Sequence, residues 1–244
     1  CVINPMKFPE LAEELKVDSG GGLLLYGPPG NGKTMFAKAL ANEIDAVFLN
    51  VSAADLKNKY VGQSEKNVKA MFVEARKHSR CVLFIDEAES VLGTRRAMRS
   101  HSISNTVVPM FCAEMDGIDS LQDVILILAS NRPDLIDPAI LRPGRIDRKI
   151  KVTRPGKEDA REILKIYLTP DLPIDTGGFD EAGTPASSAI DRCVDKMVEE
   201  IFARRDDTRF VEVMLRSGRK DILHRGDLCS GAVLESIVRR AKEY

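Results

Sequence analysis

Neither sign of charge is in excess in this chain: 36 Lys and Arg stand against 37 Asp and Glu, a formal net charge of -1 over 244 residues. That balance argues against bulk coating of nucleic acid or of an anionic membrane and leaves only a local basic patch open. No apolar run approaches the roughly eighteen residues that a membrane span needs, and the longest are strand-sized. The N-terminus lacks the charged-then-apolar order of a signal peptide, so we expect a cytoplasmic protein with no membrane partner. Cysteine is sparse and unpatterned. Cys1, Cys81, Cys112, Cys193 and Cys229 are odd in number, far apart and never in CxxC spacing, which supports neither a disulfide framework nor a zinc knuckle. Reduced, mostly buried thiols are expected. The three histidines, His78, His101 and His224, do not make the HExxH of a metalloprotease.

What is present is a globular composition, 43% hydrophobic and 30% charged, in a length that suits one large domain or two. Apolar runs at Leu23 to Tyr26, Ala46 to Val51, Cys81 to Ile85 and Val124 to Ala129 are short, nearly continuous and rich in Leu, Ile, Val and Phe. Such runs suit strands buried on both faces of a parallel sheet. A fifth strand is expected over Lys149 to Thr153. Helical periodicity lies between the runs, with Ala37, Leu40, Ala41 and Ile44 on one face of a helix and Val68, Met71, Phe72 and Ala75 on another. Strand alternating with helix predicts an α/β sheet with crossover helices.

After Arg154-Pro155-Gly156 the apolar runs stop and helical periodicity takes over. This is the expected domain boundary, dividing 1–154, a large nucleotide-binding domain, from 155–244, a small and mainly helical one. Three helix faces are legible in the second part: Ala160, Ile163, Leu164 and Tyr167; Val194, Met197, Val198 and Ile201; Leu234, Ile237, Val238 and Ala241. Phe210 to Leu215 and Lys220 to Leu223 flank Ser217-Gly218 and read as a β-hairpin. Thr169 to Ser188 is expected to be mostly loop.

The strongest chemical signal is Gly27-Pro28-Pro29-Gly30-Asn31-Gly32-Lys33-Thr34, a GxxxxGK[ST] pattern that follows a buried strand and opens an amphipathic helix. Backbone N–H groups of such a turn and of the helix N-terminus make an anion-binding concavity. Lys33 is expected to reach the β and γ phosphates of ATP or GTP, and the Thr34 hydroxyl to ligate Mg²⁺. Pro28 through Thr34, with Met35, form the expected nucleotide-binding set. The second signal is Cys81 to Ile85 followed by Asp86 and Glu87, a buried strand ending in two acids. An acid at the C-terminal edge of a parallel sheet lies where phosphates bind. Asp86 is expected to hold Mg²⁺, and Glu87 to act as general base on the attacking water. Two acids after a strand also describe a solvated helix start. Their place 53 residues after Lys33, with a strand and helix between, favours catalysis and argues against a GTPase switch.

With these motifs the chain resembles the AAA+ ATPases, a resemblance that covers nearly its whole length. It extends through Ala129-Ser130-Asn131-Arg132-Pro133 and through Ile136-Asp137-Pro138-Ala139-Ile140-Leu141-Arg142-Pro143-Gly144-Arg145-Ile146-Asp147, which looks like the second region of homology of the AAA subgroup. The resemblance implies that Asn131 orients the attacking water and that Arg142 and Arg145 are fingers acting on the nucleotide of a neighbouring subunit, hence a homo-hexameric ring. Read from the residues alone, Arg-Pro-Gly-Arg also suits a basic turn. A guanidinium neutralises charge that develops in phosphoryl transfer, and no other arginine is placed near the phosphates by this layout. The resemblance also puts Gly231 and Ala232 beside the adenine and ribose, although Ser230 alone suits an N-cap. Many relatives carry His where this chain has Tyr167. Asp116-Gly117-Ile118 takes the inter-subunit signalling position.

Lys59-Tyr60-Val61-Gly62 matches the family's pore loop, in which Tyr60, Val61 and Gly62 grip an unfolded chain. Without the resemblance, Tyr60 and Val61 read as ordinary loop anchors. A flat apolar ring suits sequence-indifferent gripping. The Arg-rich stretch 94–101 would be a second pore loop or a solvated basic loop. The small-domain residues Phe210 to Val213, Lys220 to Leu223 and Asp227 to Ala232, with Ser104 to Pro109, resemble the bacterial proteasomal ATPases, also called ATPases forming ring-shaped complexes (ARC). That resemblance implies a hexamer that unfolds tagged proteins and feeds them to a proteasome core particle. The group's upstream coiled-coil and oligonucleotide-fold domains and its docking tail have no counterpart among these residues, and we expect a motor module that is mostly monomeric at low micromolar concentration. The alternative is an AAA ATPase that disassembles or remodels protein complexes without a protease. A non-hydrolysing ring subunit is disfavoured because Lys33, Asp86, Glu87, Asn131 and both arginines are intact. A DNA-remodelling role is disfavoured by the charge balance and the tyrosine loop.

Overall fold

Apolar runs too short for helices pair side by side because their backbone groups, once out of water, need partners that only neighbouring strands supply. The computed structural model describes residues 8–15, 21–52, 56, 63–94, 104–116, 124–169, 172 and 186–243. A short helix α1 (Pro9–Glu14) precedes strand β1 (Gly21–Tyr26), helix α2 (Lys33–Glu43), strand β2 (Val47–Val51), helix α3 (Gln63–Ala75) and strand β3 (Cys81–Ile85). Helix α4 (Ser104–Asp116), strand β4 (Val124–Ser130) and strand β5 (Ile146–Lys151) complete the first part. The five strands form one sheet in the order β2-β3-β4-β1-β5, every pair parallel.

Alternation along the strands divides the core in two. Leu24, Leu83, Ile85, Leu126 and Leu128 face the buried sides of α3 and α4, including Val68, Phe72, Val107 and Phe111. Leu23, Leu25, Val82, Phe84, Ile125 and Ile127 face Ala37, Leu40, Ala41 and Ile44 of α2. Helix α4 was not expected from the sequence. Pro109 inside it argues locally for a break, yet Pro109 is exposed while Val107, Val108, Phe111, Cys112 and Met115 form a buried stripe that outweighs the lost hydrogen bond. The fifth strand starts three residues before its expected position. It is an edge strand paired only with β1 from Gly22 opposite Ile146, so it lacks the continuous apolar run of its neighbours.

The chain divides into two compact units, 1–28 with 32–152, and 29–31 with 153–244. In the second, helices α5 (Lys157–Tyr167), α6 (Ala186–Ile201) and α7 (Gly231–Ala241) bury Ala160, Leu164, Ile190, Val194, Val198, Leu234 and Val238 together. Residues 186–188, expected in the loop, belong to α6; apart from Thr169 and Leu172, the remainder of that expected loop lies outside the described residues. Strands β6 (Arg209–Met214) and β7 (Lys220–His224) form the antiparallel hairpin, with Glu212 opposite Ile222 and Gly218 at φ 80 in its turn. Among the described residues no helix is long and apolar enough to cross a membrane. Cys81, Cys112, Cys193 and Cys229 are free thiols, and all but Cys193 are buried.

Phe72 is fully buried and packs edge-to-face on Phe111 with ring centroids 5.2 Å apart. Phe72→Ala is expected to cost about 3–5 kcal/mol in urea unfolding. Burial pushes the Cys81 thiol up to about 11. The unfolded chain loses that proton earlier, so the stability linked to Cys81 is complete below about pH 9 and is lost as pH rises towards 11. Alkylation of the native chain at pH 8, mapped by mass spectrometry, should label Cys193 and spare Cys81.

Candidate active site

The site is assembled at the C-terminal ends of β1, β3 and β4, where adjacent parallel strands deliver their last residues to one edge. The chain leaves β1 through Gly27, whose N–H donates to Ser130 O at 3.2 Å. Gly27 has φ 151, and a Cβ there would lie 2.0 Å from Val152 O, so the turn admits no side chain. Gly32, at φ 82, turns the loop into α2. Phe36 N–H makes the first intrahelical bond, to Gly32 O at 2.8 Å, which leaves the N–H groups of Lys33, Thr34 and Met35 without intrahelical acceptors.

Lys33 is the pivot of the site. The residue is only 7% exposed, and its Nζ donates to Gly27 O at 2.8 Å, Pro28 O at 2.9 Å and Asn131 Oδ1 at 2.8 Å. All three acceptors are neutral. Burial lowers the pKa of Lys33, and the charges of Asp86 and Glu89 oppose that shift. Thr34 Oγ1 donates to Asp86 Oδ2 at 3.3 Å, which places a hydroxyl and a carboxylate side by side at the helix start. Asp86 Oδ1 accepts the N–H of Glu87 at 2.9 Å. Glu87 is exposed and adopts φ 49 and ψ 44, a left-handed backbone that is costly for a residue with a side chain.

The structure thus brings Lys33, Thr34, Asp86 and Asn131 together, with Glu87 next in the chain. A nearly buried ammonium ringed by neutral oxygens, beside helix N–H groups that lack intrahelical acceptors, fits a polyphosphate. A hydroxyl adjoining a carboxylate fits a hard divalent cation. Residues 29–31 group with the second unit, where Ala232 N–H donates to Gly30 O at 3.0 Å. Ser230 caps α7 by accepting Val233 N–H on Oγ at 3.4 Å, with Gly231 and Ala232 following it.

The two arginines differ. Arg145 binds Asp116 of its own chain, Nε to Oδ1 at 2.7 Å and Nη2 to Oδ2 at 2.5 Å, and Nη1 donates to Ala139 O at 2.6 Å. Arg142 is exposed; its carbonyl accepts Arg145 N–H at 3.1 Å, and its guanidinium makes no hydrogen bond or ion pair among the described residues. Tyr60, Val61 and Gly62 lie outside the described residues, as do 95–101 and Gly117 and Ile118. Tyr167 is partly buried against the helical core of the second unit, and its pKa is raised by that burial and by Glu235. Two residues at the site escaped the sequence reading. Glu89 accepts Asn131 N–H, and its only signal was a further acid just past Asp86 and Glu87. The pairing of Asp116 with Arg145 spans 29 residues and leaves no local pattern.

The parallel sheet with its phosphate loop and paired acids defines a P-loop ATPase of the AAA+ kind. The chain belongs to the ATPase family associated with various cellular activities (AAA), which residues 23–154 match. Residues 155–244 match the ARC, AAA+ ATPase lid domain. The chain is similar to proteins named proteasome-associated ATPase, at 44% identity to that of Acidimicrobium ferrooxidans and 41% to those of Acidothermus cellulolyticus and Thermobifida fusca. Each alignment covers 98% of this chain and 44% of the relative, so the chain spans less than half the length of the curated relatives it matches. Membership of the family implies nucleotide binding.

Because the Arg145 side chain is held by three hydrogen bonds and that of Arg142 by none among the described residues, their removal should differ in stability. Arg145→Ala is expected to lower the thermal midpoint by about 2 °C or more. Arg142→Ala should leave it unchanged in the same scanning-calorimetry experiment.

Proposed function

We propose that this chain is the motor module of a ring-forming ATPase that hydrolyses ATP to unfold and thread protein substrates through a central pore, delivering them to a proteasome-type protease. In this reading 1–154 is the nucleotide-binding domain and 155–244 its lid. The printed names of the relatives and the ARC lid match support the proteasomal partner. The observation that carries the ATPase reading is the convergence of Lys33, Thr34, Asp86 and Asn131 beside Glu87. The working protein is a cytoplasmic homo-hexamer with no role on nucleic acid.

Lys33 exchanges its three neutral oxygens for phosphate oxygens, a stronger charge-assisted contact. The N–H groups that open α2 hold the same phosphates, and Gly231 and Ala232 serve the adenosine end. Thr34 and Asp86 are the residues that would hold Mg²⁺, which supplies charge neutralisation at the phosphates. Asn131, released by Lys33, orients the attacking water. Glu87 takes the water's proton as its oxygen bonds to the γ phosphorus and the bond to the β-phosphate oxygen breaks, leaving ADP and phosphate. Arg142 projects towards a neighbouring subunit's nucleotide, while Arg145, unless released by Asp116, anchors the segment that presents it. Tyr60, Val61 and Gly62 grip the substrate.

Glu87→Gln is expected to keep nucleotide affinity and lower turnover by roughly two to four orders of magnitude. Lys33→Ala should abolish binding of a fluorescent nucleotide. Parent-rate hydrolysis by the Gln variant would remove Glu87 from the role of base.

A further inference from the structure

Glu89 stands on the 3-10 turn Ala88–Ser90, just past Glu87, and no step above uses it. Its Oε1 accepts the backbone N–H of Asn131 at 3.3 Å. Its Oε2 is buried and has no hydrogen-bond partner among the described residues. Folded proteins keep few such atoms, because a carboxylate oxygen withdrawn from water without a partner costs folding free energy. One retained beside a reacting centre needs a reason other than stability.

The reason lies in how Asn131 is held. Its side-chain oxygen is bound by Lys33 and its peptide N–H by Glu89, so two groups of opposite charge grip one residue at two points. Only one grip can last through the reaction. Lys33 must give up Asn131 Oδ1 to reach phosphate, and from then on the direction of the freed amide depends on the peptide that carries it. β4 ends at Ser130, so Asn131 is the first residue beyond the ladder that fixes its predecessors. Arg132 adds one local restraint, its N–H donating to Ser130 Oγ at 3.0 Å.

Resting on the ATPase reading above, we propose that Glu89 is a positioning residue for the hydrolysis: through the Asn131 N–H it fixes where the Asn131 amide points once Lys33 has turned to the phosphates. A competing role is charge balance, since Glu89 also attracts the Lys33 ammonium. The two separate cleanly. A glutamine keeps an oxygen at the same reach for the Asn131 N–H and removes the charge.

The test measures steady-state ATPase, nucleotide affinity and thermal midpoint for Glu89→Ala, Glu89→Gln, Asn131→Ala and the double variant Glu89→Ala/Asn131→Ala. Glu87→Gln is measured alongside over the same range of protein concentration. Misplacement of a positioned group by about an ångström costs about a hundredfold, so Glu89→Ala should lower kcat by that order with affinity within about twofold. Its thermal midpoint should hold or rise, because the unpartnered oxygen is gone. Glu89→Gln should recover kcat to within about threefold of the parent, and the double variant should be no slower than Asn131→Ala alone. Unchanged kcat in Glu89→Ala, a Gln variant as slow as the Ala variant, or losses that multiply in the double variant would each overturn the inference. If Glu87→Gln stays inactive, such a result condemns the role of Glu89 alone. A fully active Glu87→Gln overturns the reading of the site and this inference with it.

Discussion

A parallel sheet clothed by helices on both faces has no room for polar side chains along its central strands, so polarity there is displaced to the strand ends. In this chain Cys81 to Ile85 and Val124 to Ala129 are buried throughout, and the first functional groups after them are Asp86 and Asn131. Because β4 lies between β1 and β3, the displaced groups meet the turn after β1 at one edge. The buried Lys33 ammonium then draws the edge together, reaching the loop carbonyls on one side and the β4 terminus on the other. The hydrophobic core and the chemical site are therefore consequences of the same constraint.

Much of this was legible in the residues. Continuous apolar runs marked β1 to β4, and the glycine-rich pattern ahead of Lys33 marked the turn that opens α2, because both signals are local and each has one physical cause. What escaped was non-local or contradicted by a neighbour. Pro109 masked α4, although the stripe from Val107 to Met115 was available. The Asp116 carboxylate, held below the usual carboxylate range by Arg145, becomes meaningful only once the fold places those residues together. Glu89 was hidden by its neighbours: after Asp86 and Glu87, a third acid reads as part of a solvated run.

In the proposed ring, coupling between the site and a neighbouring subunit would take a concrete form in the segment 139–145. Arg145 is tied to Asp116 at the end of α4 and to Ala139, while Arg142 between them is exposed. One arginine thus holds the segment in shape while the other stays exposed. The Asp116 end of that clamp belongs to the helix whose buried side lines the sheet, so rearrangement at the clamp bears directly on the core.

The left-handed backbone at Glu87 carries a consequence for anyone who alters this protein. Replacing Glu87 by glycine or asparagine relieves a conformational cost of about 1–2 kcal/mol while removing the carboxylate. With Glu87 in the proposed role of base, tolerance to heat and capacity for turnover are opposed at a single position. On that proposed role, a library sorted for thermal resistance or for yield of soluble chain enriches inert sequences at that codon, and only a screen that demands turnover retains the glutamate.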